Sequence, residues 1–172
     1  EETDRLTQIV NDMLDLSKLE SGAQKLDYST FDIAQCMAEI VHRYEGVSER
    51  MGYQIHLTLD EPCMVRCDES KIDRVIGNLI NNAINYTSKE DKQVFVTQRN
   101  LPQCVRIEVR DTGDGIEEDK IKLIFDKYYR SENHKREVVG TGLGLSIVKE
   151  ILKMHNYNYG VNSKLGEGST FW

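Results

Sequence analysis

The sequence predicts an α+β fold, a two-layer sandwich in which a mixed, mainly antiparallel sheet carries helices on one face. Segments 53–59, 93–99 and 104–110 place apolar residues at alternate positions, which is typical of half-buried strands. Other segments repeat apolar residues at intervals of three and four, which indicates helices. Pairs of strands separated by helices favour such a sheet. With 172 residues, of which 39% are hydrophobic, the chain is long enough for one globular core with a short extension.

The N-terminal segment predicts a helix of a different kind, which Gly22 is placed to end. Its apolar side chains are Leu6, Ile9, Val10, Met13, Leu14, Leu16 and Leu19. This stripe is wider than a helix on the surface of a monomer needs, so we expect it to pack against another helix or a second chain. Residues 1–22 are therefore predicted as a helical stub, separate from a domain at 23–172.

The domain begins with a helix predicted over 32–50, with Gly52 at its end, and a short strand over 64–67. Asp68 is placed as the N-cap of the next helix. The apolar stripe of that helix is Ile72, Val75, Ile76, Leu79, Ile80 and Ala83. The last predicted elements are a short helix near 117–124, a helix over 143–155 and a hairpin at 163–171.

Two glycine-containing segments, 111–115 (DTGDG) and 140–145 (GTGLGL), bracket a segment rich in basic residues. Glycine lets the backbone approach a ligand closely and turn its N–H groups inward as anion donors. A helix that starts near Leu143 would add the positive end of its dipole. The pair predicts a nucleotide pocket, although each segment alone is also compatible with an ordinary tight turn.

Asn78 and Asn82 lie four residues apart on the helix that follows Asp68, so their carboxamides project from the same face. Asparagine is unfavourable inside a helix, and its repeated use there indicates a purpose other than helix formation. A neutral carboxamide oxygen suits a partly hydrated Mg²⁺ ion shared with phosphates. We predict Asn82 as the metal ligand, with Asn78 beside the same ion; the alternative is hydrogen bonding between helix and loop.

Together with segments 125–130 (FDKYYR) and 163–171, these motifs resemble the catalytic ATP-binding domain of sensor histidine kinases. Segment 78–87 is similar to the N box of that family, and the other four are similar to its first glycine, F, second glycine and third glycine boxes, in the same order. The resemblance covers the whole chain. It implies the Bergerat-type sandwich of the GHKL ATPase superfamily, with ATP and Mg²⁺ as cofactors.

The resemblance also implies which residues contact the nucleotide. Asp111 has only acceptor oxygens, so its carboxylate can accept a hydrogen bond from the adenine amine while repelling the carbonyl oxygen of guanine. The alternative is an aspartate that only forms the turn through its own side chain. Segment 126–141 is predicted as a lid over the phosphates. The full predicted set is Asn78, Asn82, Tyr86, Asp111, Gly113, Gly115, Lys127, Tyr128, Arg130, Gly140, Gly142, Leu143, Gly144, Leu145 and Thr170.

Segment 15–22 (DLSKLESG) is similar to the end of the second helix in the dimerisation and phosphoacceptor hairpin of these kinases. The resemblance implies a homodimer, a response regulator as partner, and a cytoplasmic domain of a protein anchored in a bacterial membrane. The phosphoacceptor box is absent, because none of His42, His56, His134 and His155 has its acidic, basic and proline neighbours. We therefore expect ATP γ-phosphate to pass to a histidine outside 1–172 and then to an aspartate of the regulator.

Two positions bear on the reaction. Superfamily members that hydrolyse ATP carry a water-activating glutamate where this chain has Asn78, so a kinase is favoured over a hydrolase. The kinases usually carry lysine where this chain has Asn85, which leaves open a nucleotide-binding scaffold that transfers no phosphate. A protein-serine kinase of the anti-sigma kind is a further alternative, although the N-terminal helical stub argues against it.

The composition argues against three other properties, namely nucleic-acid binding, membrane contact and zinc binding. A net charge of −7 argues against non-specific nucleic-acid binding, and no apolar run approaches the roughly 20 residues that span a bilayer, so we expect no direct membrane contact. The four cysteines form no C-x-x-C pair, which predicts reduced thiols rather than a zinc site.

Overall fold

The computed structural model of the protein describes residues 2–87, 90, 92–129 and 141–172. Its helices are α1 (Glu2–Glu20), α2 (Ile33–Met51), α3 (Glu69–Tyr86) and α4 (Gly144–Met154). Its strands are β1 (Ser29–Asp32), β2 (Gln54–Thr58), β3 (Met64–Cys67), β4 (Gln93–Asn100), β5 (Val105–Asp111), β6 (Val161–Lys164) and β7 (Gly168–Phe171). Among the helices described, none combines the length and apolar character that crossing a bilayer requires.

The main sheet has five strands in the order β2-β4-β5-β7-β6. β2 pairs with β4 in parallel, and the other neighbouring strands are antiparallel. The prediction of a mixed, mainly antiparallel sheet is confirmed. β1 and β3 form a separate two-stranded antiparallel sheet, with Ser29 opposite Cys67 and Asp32 opposite Met64. β1 was not predicted, because its four residues lack the apolar alternation that indicates a strand.

The core lies between one face of the main sheet and helices α2, α3 and α4. Strand residues Val94, Val96 and Val109 are almost fully buried there. All six residues of the predicted apolar stripe of α3 are buried, as the helical periodicity indicated. Burial of this stripe holds α3 across the sheet, so the opposite edge of the helix lies beside the loops that follow β5.

Asp68 caps α3 as predicted: its carboxylate accepts hydrogen bonds from the backbone N–H of Lys71 and from that of Asp27. Burial alone would raise the pKa of Asp68, but these bonds, together with those from the Lys71 ammonium and the Ser70 hydroxyl, lower it from 3.8 to about 2. The carboxylate therefore stabilises the fold at pH values above its ordinary pKa. That stabilisation is lost as the pH falls from about 4 to about 2.

We expect Asp68→Asn to lower the free energy of unfolding by about 2 kcal/mol near neutral pH, and by progressively less below about pH 4. The reason is that the protonated wild-type carboxyl group loses the same charge-assisted bonds. Urea denaturation of both proteins at a series of pH values measures the difference, with Asp119→Asn, an exposed turn residue, as the control. A difference that stays constant down to about pH 2 would contradict this account of the cap.

Two predicted segments differ in detail from the structure. The stretch near 117–124 is a run of turns rather than an α-helix, because its amides bond to carbonyls three residues back, as in Lys120 to Glu117 and Leu123 to Lys120. The N-terminal helix is present and lies against α4, burying Leu16 and Leu19. Four of its apolar side chains remain exposed, namely Leu6, Val10, Met13 and Leu14. The domain boundary at residue 22 stays a prediction.

Candidate nucleotide-binding site

A pocket opens between the C-terminal half of α3, the segment after β5, the start of α4 and the final hairpin. Its lining residues are Asn82, Tyr86, Asp111, Asp114, Gly115, Ile116, Glu117, Lys120, Ile124, Tyr129, Leu145, Leu165, Ser169 and Phe171. Five of the residues predicted from the sequence are in this set: Asn82, Tyr86, Asp111, Gly115 and Leu145. The pocket therefore combines an apolar wall with a few polar groups, as small-molecule sites usually do.

Asp111 is the most buried acid of the pocket, with 4% of its surface exposed. It is the last residue of β5, and its Oδ1 accepts hydrogen bonds from the backbone N–H of Gly113 (2.8 Å) and of Ser169 (3.3 Å). These bonds hold the carboxylate in one orientation between the first glycine turn and the final hairpin. A buried, oriented acceptor at the pocket wall is suited to recognising a hydrogen-bond donor of a ligand.

The first turn needs glycine at two positions, because backbone carbonyl oxygens of other elements lie where a Cβ atom would be. A Cβ at Gly113 would lie 2.4 Å from the carbonyl oxygen of Tyr86, at the end of α3. At Gly115, where φ is +73°, a Cβ would lie 2.1 Å from the carbonyl oxygen of Lys164. The turn is thus pressed between α3 and the final hairpin, and this contact places Asp111 and Tyr86 in the same pocket.

Asn78 and Asn82 are one helical turn apart on α3, but their side chains make different contacts. Asn82 lines the pocket, whereas the Nδ2 of Asn78 donates a hydrogen bond to the carbonyl oxygen of Gly144 (3.3 Å). Asn78 therefore connects α3 to the first residue of α4. Within the described ranges, no group of three or more His, Cys, Asp and Glu residues is arranged to hold a metal ion. Asn82 fits a Mg²⁺ ion that takes most of its ligands from phosphates and water.

The second glycine segment leads directly into α4. Leu143 is fully buried and anchors the turn, and Gly142 has a φ of +73°. The N-cap residue of α4, Leu143, makes no capping hydrogen bond through its side chain. The first N–H groups of the helix lie next to the pocket, with Leu145 in its wall, which is the arrangement that binds phosphate at helix N-termini.

Eight of the predicted site residues that the structure describes are not part of the pocket lining, namely Asn78, Gly113, Lys127, Tyr128, Gly142, Leu143, Gly144 and Thr170. Thr170 pairs with Arg110 in the sheet, and Arg110 points to the opposite face, where it lies over the Phe95 ring. Because side chains alternate along a strand, Ser169 faces the pocket and Thr170 does not. Lys127 is ion-paired with Glu20 of α1 (2.6 Å), and Tyr128 is 57% exposed. Arg130, Gly140 and most of the predicted lid at 126–141 lie outside the described residues.

Several pocket residues were not predicted. Glu117 and Lys120 form an ion pair (2.7 Å) in the run of turns, and both line the pocket. The hydrogen bond to Glu117 raises the pKa of Lys120, so its ammonium stays protonated at the pocket wall. Their spacing of three residues was visible in the sequence, but only the fold shows that they face the pocket.

A family model described as histidine kinase-, DNA gyrase B- and HSP90-like ATPase matches residues 67–172. The chain belongs to this ATPase family. The matched region includes α3, both glycine segments and the final hairpin, and the family predicted from the motifs is confirmed. The described elements also agree with the predicted two-layer sandwich of this family.

Relatives of this ATPase domain include sensor kinases. The sensor protein kinase WalK of Staphylococcus haemolyticus is 33% identical over 174 residues, which cover 100% of this chain and 28% of that protein. The crystal structure of full-length ShkA in complex with AMPPNP matches with a TM-score of 0.89 and 28% identity, over 100% of this chain and 36% of ShkA. The histidine kinase ThkA, in its complex with the response regulator TrrA, matches with a TM-score of 0.77 and 22% identity, over 99% of this chain and 46% of that chain. The chain thus spans less than half of each.

Proposed function

We propose that the chain is the catalytic module of a two-component sensor histidine kinase, a protein-histidine kinase that binds ATP with Mg²⁺. It transfers the γ-phosphate to a histidine of a dimerisation hairpin, which passes it to an aspartate of a response regulator. The observation that carries this proposal is the pocket itself, in which the buried Asp111, Asn82 and Leu145 at the start of α4 surround one space. The AMPPNP complex of the similar ShkA supports a nucleotide as the ligand.

Base recognition is assigned to Asp111. Its carboxylate is fixed by two backbone donors and lines the pocket, so it can accept a hydrogen bond from the exocyclic amine of adenine. Guanine offers a carbonyl oxygen in place of that amine and would be repelled. Ile124 and the Tyr86 ring provide apolar surface in the same pocket for the faces of the base.

Phosphate binding is assigned to the start of α4 and to Lys120. The helix contributes N–H donors and its positive dipole end, and Lys120 contributes a full positive charge. When Mg²⁺ is bound, it neutralises the phosphate charge, and Asn82 is the residue placed to hold it. Asn78 supports this side of the pocket through its bond to Gly144.

Transfer is favoured over hydrolysis because Asn78 has no carboxylate to deprotonate water. The pocket acids other than Asp111 are Asp114 and Glu117. Asp114 lies within the first glycine segment, and Glu117, which follows it, is ion-paired with Lys120. A site that binds ATP without activating water keeps the γ-phosphate for another acceptor.

The proposal extends to the N-terminal helix, the partners and the cellular location of the module. Residues 1–22 are the C-terminal part of the second helix of the hairpin, and the exposed Leu6, Val10, Met13 and Leu14 fit helix packing in a homodimer. The ThkA complex with TrrA supports a response regulator as the further partner. We place the module on the cytoplasmic side of a membrane-anchored bacterial protein. The second candidate function is a scaffold that binds nucleotide without transfer, and the observation behind it is Asn85 at the position where these kinases usually carry lysine.

We expect the 172-residue chain to bind an ATP analogue in the presence of Mg²⁺ but not to label itself when given γ-labelled ATP. The first follows from the pocket, and the second from the absence of a phosphoacceptor box around its histidines. Calorimetry measures binding, and autoradiography after alkaline and acid treatment measures labelling. Acid-labile label on a histidine of this chain would contradict the placement of the acceptor outside it.

A further inference from the structure

Asp12 connects α1, α3 and the second glycine segment through side-chain hydrogen bonds. It lies in α1, and 8% of its surface is exposed. Its Oδ1 accepts hydrogen bonds from Arg74 Nη2 (3.3 Å) and from Gln8 Nε2 (3.0 Å). Its Oδ2 accepts a hydrogen bond from the hydroxyl of Thr141 (3.0 Å). Asp12 thus contacts α3 on one side and the second glycine segment on the other.

Thr141 transmits this contact into the loop. Its hydroxyl oxygen accepts a hydrogen bond from the backbone N–H of Leu143 (3.2 Å), the fully buried residue just before α4. A hydroxyl that both donates and accepts is fixed in rotation as well as position, and hydrogen bonds in such a chain reinforce one another. The orientation of the Leu143 amide, and with it the start of α4, therefore depends on the carboxylate of Asp12.

The other side of the connection leads to the asparagine helix. Arg74 lies one turn before Asn78 on α3 and is held by two carboxylates of α1, Asp12 and Asp15, the latter at 2.8 Å. Asp15 touches Arg74 as Asp12 does, but no bond from it to Thr141 is present among the described residues. Both acids hold Arg74, and of the two it is Asp12 that also contacts the glycine segment among the described residues.

We propose that Asp12 is a positioning residue for nucleotide binding, which orients the second glycine segment through Thr141. Because Asp12 belongs to α1, the position of α1 against the domain determines how the backbone N–H groups at the start of α4 are oriented for phosphate binding. This inference rests on the proposed function, since it assigns the phosphate site to α4. It adds a link between α1, which contributes no residue to the described pocket lining, and the segment assigned to phosphate binding.

The test is a double-mutant cycle of Asp12→Ala and Thr141→Val, measured as affinity for a non-hydrolysable ATP analogue with Mg²⁺. Each single change should weaken binding roughly fivefold, the effect of one lost hydrogen bond, and the double variant should be no weaker than either single one. Thr141→Ser keeps the hydroxyl and should bind within about twofold of wild type. Asp15→Ala, the matched control, should do the same.

Amide hydrogen exchange without nucleotide gives a second measurement that does not depend on binding. The Leu143 amide should exchange faster in Asp12→Ala and Thr141→Val than in wild type, Thr141→Ser or Asp15→Ala. Additive losses of affinity, tighter binding by Asp12→Ala, or equal effects of the two aspartate variants would overturn the inference. Wild-type protein that binds no ATP analogue, with Leu143 exchange still dependent on Asp12, would refute the proposed function but leave the structural contact established.

Discussion

Asp111→Asn is expected to weaken ATP binding by roughly ten- to a hundredfold, the largest effect of any single substitution considered. The asparagine oxygen can still accept both backbone bonds, because both are made to Oδ1, but the side chain then presents an N–H₂ group where adenine also presents one. The negative charge that strengthens the contact is lost as well. Calorimetric titration with an ATP analogue measures the change.

Asp114→Asn is the matched control, because it removes the same charge from the same pocket without touching the carboxylate held by Gly113 and Ser169. We expect its affinity to stay within about threefold of wild type. Equal losses in the two variants would show that only the charge of the pocket matters. Unchanged affinity in Asp111→Asn would remove the assignment of adenine recognition to this residue.

Asn82→Ala is expected to weaken binding of the analogue by roughly tenfold in Mg²⁺ and by less than about twofold in EDTA, because only a metal-bridged contact is lost. Asn81→Ala is the control, since Asn81 is exposed on the same turn of α3. Both variants are compared by titration in the two buffers. A loss of the same size with and without Mg²⁺ would make Asn82 a structural residue.

The parts of the fold that were predictable are those in which local pattern and tertiary packing agree. The apolar stripe of α3 is buried throughout, and Asp68 caps that helix, because both depend on spacing along one element. The turn after Asp111 was also accessible from sequence, since Gly115 and its neighbours signal close backbone approach. These features place Asn82 and Asp111 in one pocket.

What the sequence left undetermined depends on contacts between distant residues. β1 exists because it pairs with β3, and nothing in its four residues alternates. Thr170 and Ser169 are adjacent, so their assignment to opposite faces follows from the register with Arg110 rather than from composition. Lys127 was predicted to face phosphate but is paired with Glu20, more than a hundred residues away.

The turns after Gly115 show a different limit of prediction from sequence. The charges of segment 117–124 were compatible with a short helix, but its hydrogen bonds span three residues, which brings Lys120 and Ile124 to the pocket. Local propensity does not distinguish the two conformations over so few residues. The geometry of this wall is therefore a product of packing against the glycine turn and the final hairpin.

Phosphotransfer tests the central claim most directly. The 172-residue chain is incubated with γ-labelled ATP, Mg²⁺ and a separately prepared dimerisation hairpin from the same protein, and the label is followed on each polypeptide. The account predicts acid-labile, alkali-stable label on the histidine of the hairpin, and loss of that label with Asp111→Asn. Tight nucleotide binding with no label on the hairpin would contradict it in favour of a scaffold, and acid-stable label on a serine would contradict it in favour of a protein-serine kinase.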